Sequence, residues 1–225
     1  MSASNLVIVA HPDDETIFFG GTILSLKNRG FKVIVVTDGN ADGQGKSRGQ
    51  QLKEACSQLG AREVEQWDFP DIYEKRLSTD ELLARFAKIE KPKQIFTHGI
   101  LGEYGHPHHQ DVCWSVHKYF HNKVPVWSVA YNSFASKTVR LTKKIYQTKA
   151  DVYSRIYHSE TVRFARVLPV HNQEGFHKVD FAEVDHLYSY FTDKRNEVDL
   201  DQLNTYRWFA PYLGEQKKVS QKRRF

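Results

Sequence analysis

The chain has few of the features that mark secreted or membrane-spanning proteins. Its 225 residues contain only two cysteines, Cys56 and Cys113, and no CxxC pair, so we expect buried free thiols rather than a disulfide framework. No run of eighteen or more apolar residues occurs, and the N-terminus lacks a basic segment followed by an apolar run and a cleavage site. These absences predict a soluble cytoplasmic protein, in agreement with a reducing compartment.

The excess of positive charge is confined to the C-terminal end. The formal net charge is +5, and residues 217–224 alone carry five lysines and arginines. The rest of the chain is therefore close to neutral, and we expect no nucleic-acid partner, because basicity alone is unspecific. We expect residues 215–225 to form a solvated basic tail, with weak attraction to an anionic membrane surface as the alternative.

Strand-like and helix-like segments alternate through the first 131 residues. The predicted strands are 6–10, 31–37, 63–68, 94–97 and 124–131, and the predicted helices are 16–28, 46–59, 79–89 and 107–121. Ser78 and Glu81 form the N-terminal signal of the third helix. Such a βαβ series predicts an α/β fold with a mostly parallel, open sheet flanked by helices. Later residues are irregular, with helices expected over 141–168 and 198–212, and we expect this second half to form a wall of the ligand pocket. Residues 1–214 are predicted to form one domain.

A histidine and three carboxylates follow the first strand directly, as His11-Pro12-Asp13-Asp14-Glu15. His11 and Asp14 stand three residues apart, with Pro12 fixing the backbone between them, which suits two ligands of one divalent cation. Asp13 is then left free beside the metal. An unliganded carboxylate next to a metal-bound water is the arrangement that a general base requires.

A second polar cluster, Gly102 to His109, follows the strand at 94–97. If this strand neighbours the first, both clusters face the crevice at the carboxyl ends of the strands, where open α/β sheets bind ligands. Pro107 suits the first turn of a helix on which His106 and His109 project in similar directions while His108 points away. We therefore expect His109 as the third metal ligand and His106 as a catalytic or supporting group.

Two imidazoles and one carboxylate leave at least one coordination position open, as in catalytic metal sites. Zinc is the expected ion, although the same ligands also hold Fe²⁺ and other divalent metals, so an oxygenase is the chemical alternative. A base beside the metal favours hydrolysis, because it has a natural task in activating water.

These motifs, with the Thr37-Asp38-Gly39 loop and Arg48, resemble the PIG-L, or LmbE-like, family of zinc-dependent N-acetylglucosaminyl deacetylases. The resemblance covers roughly the first 130 residues. It implies a Rossmann-like fold, a metal held by His11, Asp14 and His109, and Asp13 as general base. It further implies that Tyr104 and His106 act on the amide carbonyl and that Arg48 lies near the sugar.

One position departs from the family pattern, which commonly has an acidic residue where this chain has His108. Without that acid, His106 is expected to titrate lower than in relatives or to use another carboxylate.

The expected reaction is removal of the N-acetyl group from an N-acetylglucosamine-containing substrate, an amino sugar or a glycoconjugate, by metal-bound water that Asp13 activates. Asp38 and Asn40 follow a strand end at the same crevice and are expected to meet sugar hydroxyls, although both also suit turns. The alternatives are an amidase that acts on another small amide and a non-catalytic protein that binds a glycan or nucleotide sugar.

Overall fold

The computed structural model describes residues 5–73, 75–131, 133–163, 168–193 and 199–209. The predicted basic tail lies outside these residues, and so does the predicted domain boundary at residue 214, which stays a prediction. Within the described residues, no helix is both long and apolar enough to cross a lipid bilayer. Cys56 and Cys113 are buried free thiols, as predicted.

Seven strands form one sheet in the part of the chain that the structure describes. They are β1 (Asn5–Val9), β2 (Phe31–Thr37), β3 (Glu63–Phe69), β4 (Gln94–Thr97), β5 (Val126–Val129), β6 (Lys137–Arg140) and β7 (Gln173–His177). Their order across the sheet is β3-β2-β1-β4-β5-β7-β6. The first five strands are parallel, and β7 pairs antiparallel with both β5 and β6. The prediction of a mostly parallel α/β sheet is confirmed.

Helices cover both faces of this sheet. The described helices are α1 (Asp14–Ser25), α2 (Gly45–Leu59), α3 (Thr79–Phe86), α4 (Gly102–Gly105), α5 (Pro107–Phe120), α6 (Lys143–Ile156), α7 (His158–Arg163), α8 (Phe181–Thr192) and α9 (Leu200–Leu203). Helices α1, α2 and α6 pack together, and α3 packs on α5. The predicted N-cap of α3 is present, since the Glu81 backbone N–H donates to Ser78 Oγ.

Strand β1 shows why the first strand reads as a continuous apolar run. Val7 and Val9 belong to one core cluster, whereas Leu6, Ile8 and Ala10 belong to another on the opposite face. Successive side chains of a strand point to opposite faces, so a strand that is covered on both sides must be apolar throughout. Burial on both faces therefore explains the pattern.

The irregular second half departs from the predictions. Among the described residues of 141–168, the expected helix is divided into α6 and α7. Among those of 198–212, only α9 is helical, and most of residues 204–209 form turns. Strands β6 and β7 and helix α8 were not predicted. Both strands are short and carry few apolar residues. Strand β6 is the edge strand, and β7 lies between β5 and β6.

Strand order creates the crevice that the sequence predicts. From β1 the chain proceeds to β2 and β3 on one side, and then crosses to β4 on the other side. The switch in direction therefore lies between β1 and β4, which pair in parallel. Residues that follow these two strands meet at the carboxyl end of the sheet, the usual place for a ligand.

Candidate functional site

Three side chains from the two predicted motifs converge at this switch point. His11 follows β1, Asp14 begins α1 and His109 lies in the first turn of α5. His11 Nδ1 is 3.3 Å from Asp14 Oδ2 and 3.2 Å from His109 Nε2. His109 Nε2 is 3.4 Å from the same Asp14 oxygen. The structure thus brings together the three residues predicted to bind a metal.

The spacing of these three atoms fits one small divalent cation. An ion with tetrahedral bonds of about 2.0–2.1 Å holds its ligand atoms about 3.3–3.4 Å apart. The observed separations of 3.2–3.4 Å match the edges of such a tetrahedron. Asp14 can serve as a negatively charged metal ligand, because His109 and His98 keep its pKa well below the usual value despite its burial.

Glu103 contacts His109 at Nδ1, the ring nitrogen that does not face His11 and Asp14. Its carboxylate Oε2 lies 2.5 Å from His109 Nδ1 and 3.1 Å from His98 Nδ1, and Oε1 accepts from the Gly99 backbone N–H at 2.8 Å. His98 and His109 lower the pKa of Glu103 to about 2, although burial opposes them. A charged carboxylate at Nδ1 leaves the Nε2 lone pair of His109 for a metal. Sequence reasoning missed this role, and the signal available was the position of Glu103 within the second motif.

Asp13 adopts a backbone conformation that is rare for a residue with a side chain, with φ of 121°. Such strain persists where surrounding contacts hold it, and it concentrates at functional sites. Burial and the neighbouring Asp14 raise the pKa of Asp13 well above its usual value, against the effect of Arg48. Asp13 is therefore the more basic of two adjacent carboxylates, as a proton acceptor should be.

Glu15 supports this strained backbone, a role that the sequence did not reveal. Its side chain is fully buried, and Oε2 accepts from the Asp13 backbone N–H at 2.9 Å. Oε1 accepts from the Thr16 hydroxyl and, at 2.9 Å, from the hydroxyl of Tyr157, which follows α6. Burial raises the pKa of Glu15 to about 7. The second half of the chain therefore helps to hold the first motif.

Arg48 contacts the first motif, His11 to Glu15. Its Nη2 donates to the Pro12 carbonyl at 2.8 Å and is 3.6 Å from Asp13 Oδ2. Glu160 and Asp71, two further buried carboxylates that sequence reasoning did not single out, lie within 3.9 Å of the guanidinium. The Nε of Arg48 is buried and has no hydrogen-bond partner among the described residues. Arg48 thus positions the Pro12-Asp13 backbone.

His106 and Tyr104 lie beside the three candidate ligands. The His106 ring stacks on His109, with centroids 4.7 Å apart, and its Nδ1 accepts from the His108 backbone N–H at 3.2 Å. Burial, with His109 and His11 nearby, lowers the pKa of His106 to about 2. The ring is therefore neutral, with its proton on Nε2. The Tyr104 ring is 60% exposed and lies 5.9 Å from His106.

His108 was expected to point away from the site, and this prediction is wrong. Its Nδ1 is 3.0 Å from His11 Nε2, and its ring is fully buried. Helical spacing misled the prediction, because His106 is the extended N-cap of α5, with φ of −70° and ψ of 123°, and does not belong to the helix. The 3.6-residue period cannot relate a residue outside the helix to those within it.

Asp38 and Asn40 are used within their own loop. Asp38 Oδ1 accepts from the backbone N–H groups of Asn40 and Asp71, at 2.9 and 3.1 Å. Asn40 Oδ1 accepts from the Gly45 backbone N–H at 3.0 Å, and Asn40 is exposed. The sugar contacts predicted for both residues therefore stay predictions.

Comparison with known proteins bears on this arrangement. A family model described as "PIG-L: GlcNAc-PI de-N-acetylase" matches residues 6–120, which include all the residues predicted for the site. A bovine protein, N-acetylglucosaminyl-phosphatidylinositol de-N-acetylase, is 32% identical over 114 residues, covering 46% of this chain and 45% of its own length. The chain spans about half the length of the curated relatives it matches.

Solved structures share the fold at low identity. One, the zinc-inhibited form of the teicoplanin deacetylase Orf2, is 16% identical with a TM-score of 0.55, over 71% of this chain and 86% of its own. Another, GalB from Pseudomonas putida, is a 4-carboxy-2-hydroxymuconate hydratase and is 19% identical with a TM-score of 0.53, over 80% and 96% of the two chains. The fold alone therefore does not decide the reaction.

Proposed function

Because the chain belongs to the PIG-L family, we propose that it is a metal-dependent hydrolase that removes the N-acetyl group from an N-acetylglucosamine-containing substrate. One observation carries the proposal: three ligand atoms converge at the spacing of one cation, while the adjacent Asp13 stays outside the set. A free base beside an open metal position is the requirement for hydrolysis.

His11 Nδ1, Asp14 Oδ2 and His109 Nε2 would hold the ion, which we propose is zinc, with Fe²⁺ as the alternative for this donor set. When bound, the ion supplies Lewis acidity and makes a water molecule acidic enough to attack at neutral pH.

Asp13 is proposed to take the proton from the attacking water and to return it to the departing amine. The amide C–N bond breaks, and acetate and a free amino sugar result. The raised pKa of Asp13 favours the first transfer, because a carboxylate that binds its proton more tightly is a stronger base. Its position beside Asp14 keeps it close to the attacking water without a place in the ligand set.

His106 and Tyr104 are proposed to stabilise the negative charge that develops on the carbonyl oxygen. The neutral His106 ring retains an Nε2–H donor, since Nδ1 accepts from the His108 backbone. Tyr104 can add its hydroxyl from the exposed side of the site. Preorganised donors of this kind contribute on the order of 10²–10³ in rate.

We propose that the sugar lies over Arg48 and the loop that contains Asp38 and Asn40. Asn40 is exposed at the same edge of the sheet and can reach a hydroxyl, whereas Asp38 would have to share an oxygen that already accepts backbone bonds.

Acetate release from a panel of N-acetylated compounds tests the proposal. The zinc-loaded protein is assayed with N-acetylglucosamine, a chitooligosaccharide, a glycolipid and a nucleotide sugar, beside simple acetamides without a sugar. Acetate from one of the sugars alone supports the proposal, and turnover of the simple acetamides alone indicates a general amidase. Calorimetric binding of a sugar without acetate release indicates a non-catalytic binding protein.

A further inference from the structure

His108 makes a set of contacts that the proposed reaction does not use. Its ring is fully buried, and Nε2 lies 3.1 Å from the Ile72 carbonyl oxygen and 2.9 Å from that of Lys75. Carbonyl oxygens only accept hydrogen bonds, so Nε2 must carry the ring proton. A neutral imidazole carries only one ring proton. Its other nitrogen, Nδ1, then carries a lone pair.

That lone pair faces His11. His108 Nδ1 is 3.0 Å from His11 Nε2, a hydrogen-bond distance that requires one proton between the two nitrogens. Since His108 cannot supply the proton, His11 must donate it from Nε2. A neutral His11 with its proton on Nε2 has its free lone pair on Nδ1, the atom that faces Asp14 and His109.

We propose that His108 is a positioning residue that fixes the tautomer of His11, so that the Nδ1 lone pair is directed to the metal. The inference rests on the metal site of the proposed function. It links two carbonyl groups, Ile72 and Lys75, through two imidazole rings to a ligand atom. Groups that orient metal-binding histidines in this way commonly account for 10–100-fold in metal affinity.

Asp71 contributes a second acceptor at the same place. Its Oδ1 is 3.4 Å from His11 Nε2 and 3.6 Å from His108 Nδ1. Three such atoms could also surround a second cation, and the two arrangements exclude each other, because His11 Nε2 cannot hold a proton and a metal at once. The hydrogen-bonded arrangement satisfies His11, His108 and both carbonyl groups without an additional ion, so we favour it.

Nitrogen-15 spectra of the histidine rings in the metal-free protein, recorded at alkaline pH so that the rings are neutral, test the tautomer directly. We expect His11 protonated on Nε2 and His108 protonated on Nε2 in the wild type. In His108→Leu, which removes the nearer acceptor and leaves only Asp71, the fraction of His11 protonated on Nε2 should fall. His108→Gln presents an amide oxygen to the same N–H and should keep His11 on the Nε2–H form. A wild-type His11 ring protonated on Nδ1 would overturn the proposal.

Zinc affinity, measured by competition with a chelator, is the second readout. We expect His108→Leu to bind zinc 10–100-fold more weakly than the wild type, and His108→Gln to stay within a few-fold. The control is His121→Leu, at an exposed position that follows the same helix. Equal affinity of His108→Leu and the wild type, or two zinc ions per wild-type chain, would overturn the proposal. If the wild type binds no zinc but shows the expected tautomers, the metal site fails while the His108 contact stands.

Discussion

Asp13 and Asp14 are adjacent carboxylates whose pKa values the protein moves in opposite directions. Asp13→Asn keeps the shape of the side chain but cannot accept a proton. We expect it to retain the metal and to lose acetate release by a factor on the order of 100 or more. Metal analysis and the acetate assay on one preparation measure both effects, with the exposed Asp151→Asn as control. Near-normal turnover at normal metal content would transfer the role of base to another group.

The three proposed ligands predict a metal content of about one ion per chain, because they form a single face of one coordination shell. His11→Ala, Asp14→Ala and His109→Ala should each lose the metal. His106→Ala should keep it and lose mainly turnover, since the proposed task of His106 is to donate to the substrate oxygen. Elemental analysis after dialysis measures the content. A loss of metal from His106→Ala alone would show that the wrong histidine was assigned.

Elements with a strong local pattern were predictable from the sequence, including the edge strand β3, whereas β6, β7 and α8 were not. Strand β1 and the N-cap at Ser78 follow from local signals that the fold satisfies. Strand β7 and helix α8 depend on contacts with distant parts of the chain, so their own residues carry a weak signal. The residues of the site differ in the same respect, since some carry a local signal and others do not. The proposed ligands stand in two compact motifs, whereas Glu15 and Glu103 act through partners that only the folded chain brings close.

One buried carboxylate joins helix α8 to residues 72–77, the segment whose carbonyl groups accept from His108. Asp111 accepts from the Leu77 backbone N–H, from Arg76 and, at 2.7 Å, from the Tyr188 hydroxyl of α8. Tyr188→Phe removes the last bond, and we expect it to lower the free energy of unfolding by about 1–2 kcal/mol. Urea denaturation measures the loss.

Tyr190→Phe is the matched control for that measurement, because Tyr190 lies in the same helix with its side chain partly exposed. A change within about 0.5 kcal/mol is expected for it. Equal stability of the two variants would mean that the Asp111 contact contributes nothing to the packing of α8 on the rest of the domain.

At the scale of the whole molecule, the second half of the chain supports the site. Helix α6 packs on α1 and α2. Tyr157, at its end, reaches Glu15, and Glu160 of α7 lies 3.9 Å from the Arg48 guanidinium. The sequence predicted the second half only as a wall of the pocket, because neither contact involves a motif. The domain therefore fixes the strained Asp13 backbone from both halves.

Acid is expected to destabilise the whole domain through a buried histidine remote from the proposed metal. Burial, with His177 and His121 nearby, lowers the pKa of His117 to about 3, and its Nε2 lies 2.9 Å from Ser128 Oγ. The unfolded chain binds this proton near pH 6.5, and the folded chain does not until near pH 3. Its contribution to stability is therefore complete above pH 6.5 and is lost progressively as the pH falls.

Between pH 7.5 and pH 5 this residue alone should cost about 2 kcal/mol of unfolding free energy. His117→Gln has no titrating side chain at this position. Between pH 7.5 and pH 5 its unfolding free energy should therefore fall by about 2 kcal/mol less than that of the wild type, whatever its stability at neutral pH. Urea denaturation at several pH values, in the presence of a chelator to remove metal effects, measures the difference in slope. His158→Gln, at an exposed position, should follow the wild type. Parallel pH dependences of wild type and His117→Gln would mean that His117 already binds its proton in the folded chain, because a titration shared by both states leaves no slope.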